Sequence, residues 1–143
     1  MTNKFYIASS FTNTDKVREV SNLLKNKGFI QTYDWTQNER AATLEDLKEI
    51  GEKELIAVLE ADFLIVLLPA GKGSHIEFGI ALGQGKKIFL FSENEDIDNF
   101  KTTSTFYYLG NVEKIMGTID ELVGCVVFQK QKHWELCSRE MVE

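Results

Sequence analysis

Residues 61–91 read ADFLIVLLPAGKGSHIEFGIALGQGKKIFLF, and they set the fold. Phe63 to Leu68 is an unbroken apolar run of strand length, too short for an ordinary helix. Pro69 stops it, and Gly71 and Gly73 free the backbone for a tight turn that a ligand can approach closely. Ser74 is placed to cap a helix running to about Gln84, which Gly85 ends. A second apolar run, Ile88 to Phe91, follows as the next strand. Strand, glycine turn, helix, strand is the unit of a parallel sheet.

In such sheets ligands sit at the carboxyl ends of strands, beside helix N-termini. Backbone N–H groups of Gly73, Ser74 and His75 are expected to face an anion there. Glu77 falls in the expected first turn, where the helix dipole favours an ionised carboxylate fit to act as a nucleophile. Ser74-His75-Ile76-Glu77 also fits the S-x-x-E capping box, in which Glu77 reaches back to Ser74 and needs no chemistry. Local pattern does not choose between the two.

Outward from this unit, the chain order is regular. Phe5 to Ala8 is a short first strand closed by Ser9 and Ser10. A helix capped by Asn13 or Thr14 carries Val17, Val20, Leu23 and Leu24 at helical spacing and ends at Gly28. Phe29 to Tyr33 is the second strand, with Asp34 and Trp35 at its carboxyl end. Leu44, Leu47, Gly51, Leu55 and Val58 mark the expected buried face of a helix from Thr43 to Glu60, and Gly51 predicts close packing there. The acidic run 92–98 reads as an exposed loop. Phe106 to Leu109 and Val112 to Ile115 read as strands. Thr118 caps a last helix that buries Ile119, Leu122, Val123, Val126, Val127 and Trp134. The expectation is one doubly wound α/β domain spanning residues 1–143, with about five parallel strands, near the flavodoxin or Rossmann type.

Composition narrows the partners. The 143 residues suit one good core. A net charge of −6 argues against a nucleic-acid polymer or an anionic membrane as partner. It leaves room for a small phosphate held by local dipoles. No apolar stretch reaches membrane-spanning length, and the N-terminus shows no signal-peptide pattern. Cys125 and Cys137, twelve residues apart in one expected helix, cannot bridge each other, and two free thiols fit the cytoplasm. With only His75 and His133 and no CxxC or HExxH pattern, no protein-bound metal is expected.

The block E-A-D-x-x-I-V-x-L-P-A-G-K-G-S-H-I-E-F-G-I-A-L-G-Q-G-K-K, residues 60–87, resembles the nucleoside 2-deoxyribosyltransferase family. That family includes base-swapping transferases and hydrolases of deoxynucleoside monophosphates. Residues 69–77 also resemble the P-G-G-x-G-T-x-x-E motif of cytokinin-activating phosphoribohydrolases. Both resemblances imply chemistry at an N-glycosidic bond without a cofactor. They imply a small nucleoside or nucleotide as partner, and the first implies a homodimer or higher homo-oligomer.

By the resemblance, Glu77 in E-[LF]-G-x-A is the nucleophile. Tyr6 matches a first-strand tyrosine that holds the nucleophile or sugar, and Glu54 an acid that contacts the sugar or base. As a retaining mechanism this implies a covalent sugar–enzyme intermediate. Ser9 stands where the family carries glycine, with Ser10 after it. Gly71 stands where the transferases carry a further acid, so no proton donor for the departing base is evident. Ser9, Ser10, Asp34, Trp35, Gly71, Lys72, Gly73, Ser74 and His75 are the candidate substrate-binding residues. Trp35 is read either as a base-stacking or as a core aromatic. Lys72 and Ser74 are placed to meet a phosphate. In the hydrolases a neighbouring subunit supplies a hydroxyl from the loop after the fourth strand, and Thr102, Thr103, Ser104 and Thr105 fall near that place. The competing expectation is a non-catalytic nucleotide-binding module of the same fold.

Overall fold

A computed structural model describes residues 3–142, giving for Asp96 and residues 132–142 the backbone alone. Trp134, His133 and Cys137 therefore lie outside the described side chains. Five strands form one parallel sheet: β1 (Lys4–Ser9), β2 (Ile30–Gln31), β3 (Phe63–Leu67), β4 (Lys87–Ser92) and β5 (Val112–Met116). Their order is β2-β1-β3-β4-β5, the flavodoxin-like doubly wound arrangement. Four helices connect them: α1 (Thr14–Asn26), α2 (Leu44–Glu60), α3 (Lys72–Gly83) and α4 (Ile119–Val142). Helices α2 and α3 pack together over one face of the sheet, and α1 and α4 pack together over the other. Cover on both faces explains why β3 is apolar at every position: Phe63, Leu64, Ile65, Val66 and Leu67 are all buried.

Asp62, between α2 and β3, is a structural carboxylate. Its Oδ2 accepts from the backbone N–H of Asn3 at 3.0 Å and of Lys4 at 2.9 Å, tying the starts of β3 and β1 together. Asp62→Ala is expected to cost about 1–2 kcal/mol, the scale of losing a charged acceptor for two amides at a partly exposed site. Urea unfolding with an unchanged m-value checks this.

Three local expectations fail. Residues 106–109 are not a strand: Thr105–Tyr108 is a 3₁₀ turn whose Ser104 hydroxyl accepts from the Phe106 N–H. That cap diverts an aromatic run which otherwise favours a strand. Strand β2 is only Ile30–Gln31, not Phe29 to Tyr33. The face assigned to α2 is right only at Val58. Ala57 and Val58 are buried, whereas Leu44, Leu47 and Leu55 are exposed, Leu44 by 85%. Open space surrounds Gly51, so it marks no close packing.

The start of α2 does follow the sequence. Thr43 and Asp46 form a reciprocal capping box. In α4 the Thr118 hydroxyl accepts from the Glu121 N–H, while Leu122, Val123 and Val126 are buried. Cys125 is a half-buried free thiol. Among the described residues no helix is long and apolar enough to cross a membrane.

Candidate active site

The sheet order reverses between β1 and β3, so the loops leaving their carboxyl ends diverge and open a crevice. Residues 9–11 leave β1, and the turn 68–71 leaves β3 with a cis Leu68–Pro69 peptide. A cleft of about 800 Å³ lies there. Tyr6, Glu54 and Glu77 line it, with Ser9, Ser10, Gly71, Lys72, Gly73 and Ser74 at one part of its wall. Phe11, Trp35, Leu47, Ile50 and the strap 38–41 supply the rest.

Three elements bring the titratable groups together. β1 presents Tyr6, α2 presents Glu54, and α3 presents Glu77. The Tyr6 hydroxyl donates to Glu77 Oε2, and both side chains are buried. Burial, and then the adjacent Glu54 carboxyl through a hydrogen bond and its charge, together raise the Glu77 carboxyl to about 9. The Tyr6 hydrogen bond acts the other way. Burial, then the Glu77 carboxylate, push the Tyr6 phenol far above its ordinary range. Tyr6 therefore stays a donor. At neutral pH the Glu77 carboxyl therefore keeps its proton, because ionising it beside another carboxyl in a buried position is costly.

This corrects two expectations. The helix begins at Lys72 with Gly71 as its cap, so Ser74 sits inside the first turn and accepts from the Gly71 N–H at 3.3 Å. Glu77 thus lies in the second turn, beyond the reach of the dipole, and burial outweighs any bias toward the ionised form. Nor does Glu77 reach back to Ser74 as a capping box requires; its partners are Tyr6 and Glu54. The amides without an intrahelical acceptor are those of Lys72, Gly73 and Ser74, because the His75 N–H already bonds the Gly71 carbonyl at 3.1 Å.

The remaining candidates divide. The Ser9 hydroxyl donates to the Leu67 carbonyl at 2.7 Å and accepts from Asn13 Nδ2 at 3.0 Å. It clamps the ends of β1 and β3 from the cleft wall. Ser10 caps the 3₁₀ turn Phe11–Asn13. Trp35 is 5% exposed and its Nε1 donates to the Ile7 carbonyl, which makes it a core tryptophan touching the cleft from below. Asp34 does not line the cleft: it accepts from the N–H and hydroxyl of Thr36. His75 also stands outside it, bonded to Tyr107. Thr102, Thr103, Ser104 and Thr105, expected to serve a neighbouring subunit, do not line the cleft of their own chain.

Sequence reasoning missed Phe11, Leu47, Ile50 and the strap. Phe11 lies edge-on to Trp35 at 5.2 Å and is 68% exposed, leaving its ring open to the cleft. Leu47 and Ile50 precede Glu54 by seven and four residues, one helical face. Accepting Glu54 as a site residue was the signal that could have found them.

A family model described as nucleoside 2-deoxyribosyltransferase matches residues 5–133. Among solved structures, the chain is similar to the CMP N-glycosidase BcmB of Clostridium botulinum. The TM-score is 0.56 at 22% identity, over 86% of this chain and 97% of that one. It is also similar to a conserved protein of Enterococcus faecalis V583, with a TM-score of 0.52 at 13% identity, over 87% and 96% of the two chains. At these identities the likeness is one of fold. No protein with a curated description matches the chain significantly.

Proposed function

The chain belongs to the nucleoside 2-deoxyribosyltransferase family, and from that premise we propose that it cleaves or transfers at the N-glycosidic bond of a (deoxy)nucleoside or its 5′-monophosphate, with Glu77 as nucleophile. One observation carries the reading: Tyr6 on β1 and Glu54 on α2 converge on the buried carboxyl of Glu77 inside the cleft.

The proton that the buried Glu77 carboxyl keeps, handed to Glu54, supplies the step for which the sequence offered no donor at Gly71. With substrate in the cleft, the proton sits on Glu54 and passes to the departing base. Glu77, now ionised, attacks the anomeric carbon, and the C–N bond breaks as the Glu77–sugar ester forms. In the second half, water or another base attacks that ester and returns its proton to Glu54. Tyr6 holds one carboxylate oxygen so that the other faces the sugar. The three amides of Lys72, Gly73 and Ser74, with the Lys72 ammonium beside them, suit a 5′-phosphate. A monophosphate is also the substrate named for the Clostridium botulinum neighbour.

Free-base release from a panel of ribo- and deoxynucleosides and their monophosphates, with and without an acceptor base, tests this. A new nucleoside in the presence of acceptor means transfer, and release alone means hydrolysis. Ligand binding without release from any substrate would overturn the catalytic reading in favour of a binding module.

Tyr6→Phe is expected to lower kcat about tenfold, the worth of one positioning hydrogen bond to a charged group. Because the Tyr6 bond lowers the Glu77 proton affinity, its loss moves the alkaline limb of the rate profile to higher pH. A pH–rate series on both proteins checks this.

A further inference from the structure

The turn that carries the three open amides is held from behind. The Gly71 carbonyl accepts from the His75 N–H at 3.1 Å and lies 2.8 Å from His75 Nδ1. The opposite ring nitrogen, Nε2, lies 2.8 Å from the Tyr107 hydroxyl. A carbonyl only accepts, so Nδ1 carries a proton and donates to it, with Nε2 paired to the Tyr107 hydroxyl. Tyr107 is 5% exposed, lies nearly parallel to the His75 ring at 6.1 Å, and meets Phe78 edge-on at 5.7 Å. Ser74 and Glu77 face the cleft, whereas His75 and Phe78, each one residue further on, face Tyr107. One buried tyrosine from the segment between β4 and β5 therefore seats the outer side of the catalytic helix.

We propose that His75 is a positioning residue, which fixes the Gly71–Ser74 turn against Tyr107 so that the Lys72, Gly73 and Ser74 amides converge on an anionic substrate group. This rests on the reading above, in which a 5′-phosphate occupies that part of the cleft. In the turn, a Cβ added at Gly71 or Gly73 would meet nothing within 4 Å. Nothing in their own side chains restricts the backbone, so the restraint comes from bonds to the Gly71 peptide groups: the Ser74 hydroxyl on its N–H, and the His75 N–H and ring on its carbonyl. Loss of the clamp penalises a monophosphate more than its nucleoside, because only the former uses the amides.

The test compares kcat/KM for one 5′-monophosphate and its nucleoside in wild type, Tyr107→Phe, His75→Phe and His75→Asn. Asparagine places an amide nitrogen near the position of Nδ1, keeping the bond to Gly71 and losing the one to Tyr107. The monophosphate-to-nucleoside ratio is expected to fall about tenfold in His75→Phe and about threefold in Tyr107→Phe, and His75→Asn to recover to within about threefold of wild type. An unchanged ratio in His75→Phe with near-wild-type Tm overturns the proposal. A merely structural role would lower Tm and leave the ratio alone.

If Glu77→Gln still releases base, the catalytic reading has failed, and inorganic phosphate decides the inference separately. Its concentration-dependent rise in Tm is expected in wild type and lost in His75→Phe. Equal shifts in all four proteins, or none in wild type, overturn it.

Discussion

Glu77→Gln is expected to remove base release by at least about 10⁴-fold, the scale of deleting a nucleophile that acts within a unit, and to make the protein more stable. The two effects share one cause. In the folded chain burial and Glu54 raise the Glu77 carboxyl from 4.5 to about 9. Between those values the native state must keep a proton that the unfolded chain gives up, so stability falls as pH rises through that window. A glutamine is neutral throughout, still accepts from Tyr6, and can donate to Glu54. The gain is expected to be about 2 kcal/mol at pH 8, well below the full shift, because the site relaxes around the carboxyl. For a chain of this length that is about 6 °C in Tm. Thermal unfolding at pH 5 and pH 8 checks the sign: the difference between variant and wild type grows with pH. A Glu77→Gln protein that is destabilised at pH 8 would mean the carboxyl is ionised and well paired in the fold.

Glu54→Gln is expected to cost about 10²–10³-fold in base release, the usual range for a general acid. The loss is uneven across substrates. A base that leaves readily without protonation suffers least, and one that needs a proton suffers most. The same change removes two of the causes that raise Glu77, its hydrogen bond to Glu54 and the Glu54 charge. The alkaline limb near pH 9 in kcat/KM is therefore lost in the variant, where the lowered Glu77 group appears instead as a rise in rate as it ionises. Rates for substrates with graded leaving groups, each measured across pH, separate this from a packing defect. Uniform loss with an unmoved limb would assign the proton to another group.

Much of the frame was legible because burial leaves a mark in composition. β3 could be read at once, since a strand covered on both faces must be apolar at every position. The glycine turn and α3 followed from it. The apolar positions of α2 were legible as positions and misleading as a face: a stripe of Leu44, Leu47 and Leu55 shows an apolar surface but not what covers it. Here Leu47 lines the cleft and Leu44 faces solvent. Residues 105–108 failed for a different reason. Three aromatics in four residues favour a strand, and a single serine hydroxyl bonded to a backbone amide outweighed them. In the site, Tyr6, Glu54 and Glu77 are separated by up to 71 residues. Only the family resemblance joined them before the fold did. The capping pattern at Ser74 and Glu77 could not reveal that Glu77 turns inward, because that depends on Tyr6 arriving from β1.

The covalent step can be observed directly. A 2-fluorinated analogue of a cleaved deoxynucleotide forms its glycosyl ester readily enough to load the enzyme and hydrolyses it slowly, so the ester accumulates. Intact mass after acid quench, followed by peptide mapping, is predicted to show one sugar unit added to the peptide carrying Glu77, and none in Glu77→Gln. Attachment at another residue, or one equivalent of base released from the analogue with no sugar on the protein, would contradict the account.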